Sequence, residues 1–138
     1  MRFMVIMYPG ADAEAGKLPD EKMLAEMGKF NEELVQAGVM LDGAGLHPSS
    51  RGSRVTFAGG KPTVSHGPFA DVTHIIGGFW MWQCGSKDEA LAWIKRCPAA
   101  EDNVIELRQV MQAEDFGAAF TPELQEQEQR LREAIGRQ

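Results

Sequence analysis

The chain has 138 residues, 43% of them hydrophobic and 25% charged, the size and balance of a single domain with one core. A net charge of -6 at pH 7 and the lack of a Lys/Arg cluster exclude a nucleic-acid surface. No apolar run is long enough to span a membrane, so neither nucleic acid nor membrane is expected as a partner.

The first apolar segment, residues 1–8, is too short for a secretion signal and lacks a cleavage site. Residues 2–8 are apolar on both alternating faces and predict a central strand. Residues 9–19 form a loop rich in Gly, Ala and acidic side chains. A helix follows over about 20–37, with Met23, Leu24, Met27, Phe30, Leu34 and Val35 at helical spacing as its buried face. Gly38 is placed to end it in a left-handed conformation. Residues 39–41 predict a short strand, 42–45 a Gly-rich turn and 46–50 a loop. Residues 54–57 and 62–64 flank Gly59-Gly60, a pair suited to a tight hairpin.

Residues 65–74, Ser-His-Gly-Pro-Phe-Ala-Asp-Val-Thr-His, then bend the chain and carry two of its three histidines. A long aromatic strand follows over 75–83, where Gly77 and Gly78 point to a bulge or a close backbone approach. Ser86 and Glu89 fit a capping box for a helix reaching about Arg96, and Pro98 ends it. Residues 104–111 predict the last strand. Beyond it, residues 112–120 form an irregular arm with Phe116 and Phe120. Thr121-Pro122-Glu123 opens a helix to about Ile135 with a thin stripe of Leu124, Leu131 and Ile135.

The order is strand, helix, strand, hairpin, strand, helix, strand. This predicts an α+β fold: a ferredoxin-like split β-α-β arrangement with an inserted β-hairpin, an antiparallel sheet and a C-terminal helical extension. The core is 1–111, and 112–138 is an arm and helix of the same unit. Two helices cover one sheet face only. The other face needs a partner, so a homodimer is expected, with Trp80 and Trp82 at or near the interface.

Imidazoles exchange protons near neutral pH, with a reference pKa of about 6.5, and a carboxylate can fix their tautomer. His66 and His74 are therefore candidate acid/base residues, and Asp71, three positions before His74, is the group to orient it. His47, Tyr8 and Phe69 are candidates to line the same pocket at the end of the sheet. The bland alternative is that these are exposed turn residues or ends of core strands. His66, Asp71, His74 and His47 could also offer metal ligands, but their spacing matches no metal motif; neither metal nor cofactor is expected. Arg51 and Arg54 can bind an acidic ligand, although arginines at a loop-to-strand junction are more often solvated. The Gly-rich turns carry no phosphate-loop pattern. With no secretion signal, Cys84 and Cys97 read as free thiols, and the chain as cytoplasmic.

Several short motifs occur together: Gly45-Leu46-His47-Pro48, Gly67-Pro68-Phe69-Ala70, residues 86–90, Arg96-Cys97-Pro98, Ile105-Glu106-Leu107-Arg108, residues 113–117 and residues 120–124. In this combination the chain resembles the YCII-related family, in its branch marked by an Asp-Gly-Pro-Phe motif. The resemblance implies a dimeric α+β barrel in which two ferredoxin-like sheets face each other. It also implies a superfamily of small-molecule isomerases, lyases and cofactor-free oxygenases, and frequent association with extracytoplasmic-function sigma factors. The match has departures. His66 stands where the motif has its leading Asp, Asp71 where it has Glu, and Thr73 and His74 where a Lys-Glu pair is common. No role of that leading carboxylate or lysine carries over. Two readings stay open: an acid/base isomerase or lyase acting on a small organic substrate, and a non-catalytic ligand sensor or regulatory partner.

Overall fold

A computed structural model describes residues 1–8, 10–101 and 103–136. Pro9, the expected start of the first loop, and the end of the tail at 137–138 lie outside them. The chain runs β1 (Arg2–Tyr8), α1 (Ala11–Glu14), α2 (Glu21–Gln36), β2 (Met40–Gly45), β3 (Ser53–Ala58), β4 (Lys61–His66), β5 (Gly78–Gln83), α3 (Lys87–Ile94), β6 (Val104–Gln109) and α4 (Pro122–Gly136). Tight 3-10 segments occupy Ser49–Arg51, Val72–His74 and Ala113–Ala119. The fold is α+β. Four strands form an antiparallel sheet in the order β2-β5-β1-β6, and β3 and β4 form a separate two-stranded ribbon.

Side-chain alternation along the central strands builds the core. Val5 lies opposite Trp80 and Phe3 opposite Trp82, so all four point to one face. Phe30 and Leu34 of α2 and Ala90 of α3 pack on that face, with Val39 and Cys84. Phe30 meets Trp80 and Trp82 edge-on, with ring centroids 5.8 and 6.4 Å apart. Trp80 and Trp82 therefore belong to the core beneath the helices, 5% and 0% exposed, and not to an interface on the open face as their aromatic character led us to expect. The opposite face carries the cross-strand pairs Met4–Met81 and Ile6–Phe79, with Glu106 and Arg108 on β6.

Helix α2 starts where Asp20 accepts a hydrogen bond from the Met23 N–H at 2.8 Å. It ends at Gly38, whose φ of +71° lets the chain reverse while Val39 N–H bonds back to the Leu34 carbonyl. Only part of its expected stripe is buried. Leu24 and Val35 lie more than 100° around the helix from Phe30 at ~100° per residue, and both face solvent.

Other boundaries differ for local reasons. The expected loop after β1 contains the one-turn helix α1. Strand β2 continues through Asp42-Gly43-Ala44-Gly45, which looks like a turn in sequence. Those glycines serve close packing: a Cβ on Gly43 would sit 2.7 Å from the Trp80 ring. The expected irregular arm winds into the 3-10 segment Ala113–Ala119, where Phe116 stacks on Phe120 at 5.4 Å.

Candidate functional site: a cationic cleft at the end of the sheet

The residues after β2 and before β5 come together at one end of the sheet. Leu46 N–H bonds to the Gly77 carbonyl at 2.9 Å, and Gly77 N–H bonds to the Met7 carbonyl at 2.8 Å. The two loops are thereby pinned to the ends of β1, β2 and β5.

A buried serine holds the frame. Ser49 donates through its hydroxyl to Glu14 Oε1, and its N–H lies 3.0 and 3.2 Å from the two Glu14 oxygens. The same hydroxyl accepts from Phe69 N–H at 2.9 Å. Gly67 N–H bonds to the Gly52 carbonyl at 2.9 Å, and the Gly67–Pro68 peptide is cis. The two turns approach so closely that a Cβ on Gly67 would lie 1.7 Å from the Ser49 carbonyl oxygen. Only glycine fits there.

Between these turns opens a cleft of about 400 Å³, lined by Leu46, His47, Pro48, Ser49, Arg51, Gly52, Arg54, Phe69, His74, Ile75 and Ile76. Its walls are apolar with a basic rim, and no acidic side chain belongs to the lining. Arg54 stacks its guanidinium 3.7 Å over the Phe69 ring. Arg51 Nη1 lies 3.0 Å from His47 Nε2 and donates to the imidazole. Among the described residues neither arginine has a carboxylate partner within ion-pair distance. The arginines that sequence reasoning weighed as solvated therefore define the chemistry of the cleft. One signal could have found them. Between Asp42 and Asp71 the sequence contains no Asp or Glu, yet it holds Arg51, Arg54, Lys61, His47 and His66 in a chain of net charge -6. Ser49 and Glu14 gave no such signal, because their pairing spans the fold.

Asp71 and His74 meet at the rim. His74 Nδ1 lies 2.6 Å from Asp71 Oδ2. Asp71 caps the 3-10 turn, accepting from Thr73 N–H at 3.2 Å and from the Thr73 hydroxyl at 2.6 Å. The Thr73 hydroxyl, and then the His74 ring, hold the Asp71 carboxyl below its ordinary range. Both side chains are largely exposed, 78% for His74 and 65% for Asp71.

The six sequence candidates separate. His47, Phe69 and His74 line the cleft, and Asp71 sits directly behind His74. His66 does not line it. It ends β4 opposite Ser53, and its Nδ1 lies 2.7 Å from the Ser53 hydroxyl at the base of the ribbon. It belongs to the strand rather than to the bend after it. Tyr8 is also outside the lining; its hydroxyl lies 3.5 Å from Glu106 Oε1 at the β1–β6 pair. Among the described residues no group of three or more His, Cys, Asp or Glu is placed to hold a metal ion. No helix among them is long and apolar enough to cross a membrane.

An α+β fold with a basic cleft at the end of an antiparallel sheet is thus the class of protein that the architecture defines. Residues 1–114 match the YCII-related domain, and the chain belongs to that family. It is also similar to an uncharacterized protein of Rhizobium meliloti (strain 1021), at 31% identity over 93 residues that cover 66% of this chain and 75% of the relative.

Proposed function

We propose that the cleft binds a small organic anion, such as a carboxylate with an apolar or aromatic body. The observation that carries this reading is the pair Arg51 and Arg54, both on one apolar cleft with no carboxylate partner among the described residues. An arginine fork matches a carboxylate in two parallel hydrogen bonds. Phe69, Leu46 and Ile76 supply the apolar wall for the rest of the ligand. The test is calorimetric titration with benzoate and with neutral benzamide. Benzoate is expected to bind at least about tenfold tighter, and Arg51→Met with Arg54→Met to erase the difference. Equal affinity for both probes would refute an anion site.

A second reading adds proton transfer, and the 2.6 Å Asp71–His74 contact favours it. Asp71 fixes the ring tautomer by accepting at Nδ1, which leaves Nε2 to take or give a proton in an isomerisation or elimination. An exposed pair works weakly in high dielectric. The strand order β2-β5-β1-β6, with both core helices on one face, supports a ferredoxin-like sheet. The remaining face, with Met4, Ile6, Phe79 and Met81, supports a homodimer closed over it as an α+β barrel.

A further inference from the structure

Helix α1 is a single turn, Ala11–Glu14, and none of its residues is buried. Its backbone hydrogen bonds close within residues 10–17. Gly10 and Gly16, at φ of +89° and +94°, bend the chain on either side. So short a helix needs contacts outside itself to be held, and apolar burial does not supply them here. Among the described residues, the side-chain hydrogen bonds that join this segment to the rest of the fold come from Glu14, and all go to Ser49, 35 positions away.

These bonds continue into the cleft. The Ser49 hydroxyl donates to Glu14 Oε1, so its proton is directed there and the lone pairs of the Ser49 oxygen are left for Phe69 N–H, 2.9 Å away. A hydroxyl rotates to suit its surroundings unless a partner fixes it, and an ionised acceptor is the stronger kind of partner. Donating to a carboxylate also polarises the oxygen and strengthens the bond that it accepts. Beyond the Phe69 amide, the Phe69 ring lies 3.7 Å under the Arg54 guanidinium, and both side chains line the cleft. Glu14 is not part of that lining and makes no ion pair with Arg51 or Arg54, so it orders the cleft without neutralising it.

We propose that Glu14 is a positioning residue for the anion cleft. Its carboxylate fixes the Ser49 hydroxyl, the hydroxyl fixes the Phe69 backbone, and the Phe69 ring holds the Arg54 guanidinium flat, with its N–H edge turned to a bound carboxylate. With Glu14 removed, Arg54 keeps its charge but samples more rotamers, and ordering it on binding costs affinity. The effect on affinity rests on the anion site proposed above; the stacking of Arg54 on Phe69 does not.

The test compares the full-length chain with its Glu14→Ala, Glu14→Gln and Phe69→Leu variants by proton NMR and by calorimetry. A ring current shields groups stacked on its face, so the Arg54 side-chain protons should lie upfield of their position in Phe69→Leu. Glu14→Ala should move them back to that position. Glu14→Gln, which keeps an acceptor for the Ser49 hydroxyl, should retain the upfield shift. Glu14→Ala should also weaken benzoate binding about fivefold and leave benzamide within about twofold, with Glu14→Gln close to the unsubstituted chain. Because α1 buries no residue, circular dichroism should be unchanged in both Glu14 variants. An upfield shift that survives Glu14→Ala, or that Glu14→Gln loses as fully, would overturn the positioning role whatever benzoate does. Benzoate and benzamide affinities that fall together in Glu14→Ala would overturn it as well. A shift that follows Glu14 as expected, in a chain that does not prefer benzoate, would refute the anion site and uphold the positioning of Arg54 by Glu14.

Discussion

His74 Nδ1 stands 2.6 Å from Asp71 Oδ2, and the same carboxylate accepts the Thr73 hydroxyl at 2.6 Å through its other oxygen. One carboxylate thus shapes the 3-10 turn and orients the imidazole at the rim of the cleft. These hydrogen bonds favour the ionised form, Thr73 contributing most and His74 next. Asp71 should titrate below its ordinary 3.8 by carbon-detected NMR, and Thr73→Val should raise the midpoint more than His74→Ala. The sign follows from linkage. The stabilisation of the turn is present above pH 3.8 and is lost as pH falls through the lower, folded-state midpoint. Loss of the turn on acidification at pH 5–6 would contradict this assignment.

The proton-transfer reading has its own readout. Short keto and unsaturated carboxylates incubated in D2O with the protein should gain deuterium next to the carbonyl group. His74→Gln should abolish that gain, and Asp71→Asn should slow it by ~100-fold or more. Exchange unaffected by His74→Gln would remove His74 from the chemistry.

Ser49 bridges Glu14 and Phe69 N–H from a buried position. Ser49→Ala should lower unfolding free energy by about 1–3 kcal/mol, because the Phe69 amide loses its acceptor. Gly67→Ala should cost at least as much, since its Cβ would collide with the Ser49 carbonyl. Arg51→Met and Arg54→Met, by contrast, should leave stability within ~0.5 kcal/mol, as surface changes usually do. Chemical denaturation of the four variants checks this ordering.

Burial pushes the Cys97 thiol up to about 11, and burial followed by the Glu89 charge raises that of Cys84. Both thiols stay protonated at pH 8, so a thiolate-selective disulfide reagent should react slowly with folded protein and rapidly once it is unfolded. Because ionisation is disfavoured only in the fold, this contribution to stability is present below the unfolded pKa and fades as pH rises through about 9 to 11. Rapid labelling of the folded chain would contradict it.

Much of the fold was legible because its signals are local. Asp20 and Gly38 mark the ends of α2, Gly59-Gly60 the ribbon turn, and Ser86 the start of α3. Two glycine runs that read alike as turns fold differently, and only the first was read correctly. Gly59 and Gly60 need positive φ and make a turn, whereas Gly43 and Gly45 lie within β2, where Gly43 makes room for Trp80. Period-two alternation places Trp80 and Trp82 together but does not say which sheet face the helices cover; Phe30 decides that. At the site, Asp71 and His74 were readable because they stand three positions apart on one turn. His66 was not separable from them in sequence, since strand β4 runs two residues further than the bend implied. The Ser49–Glu14 pair and the joint placement of Arg51, Arg54 and Phe69 depend on packing between distant segments.

The most direct test of the cleft as an anion site is amide NMR of the full-length chain titrated with benzoate. The expected shifts fall on residues 46–52, on Arg54 and Phe69, and on residues 74–76, and they vanish in the Arg51→Met, Arg54→Met double variant. Shifts confined to the open sheet face around Met4, Phe79 and Met81, or none at millimolar benzoate, would contradict the assignment.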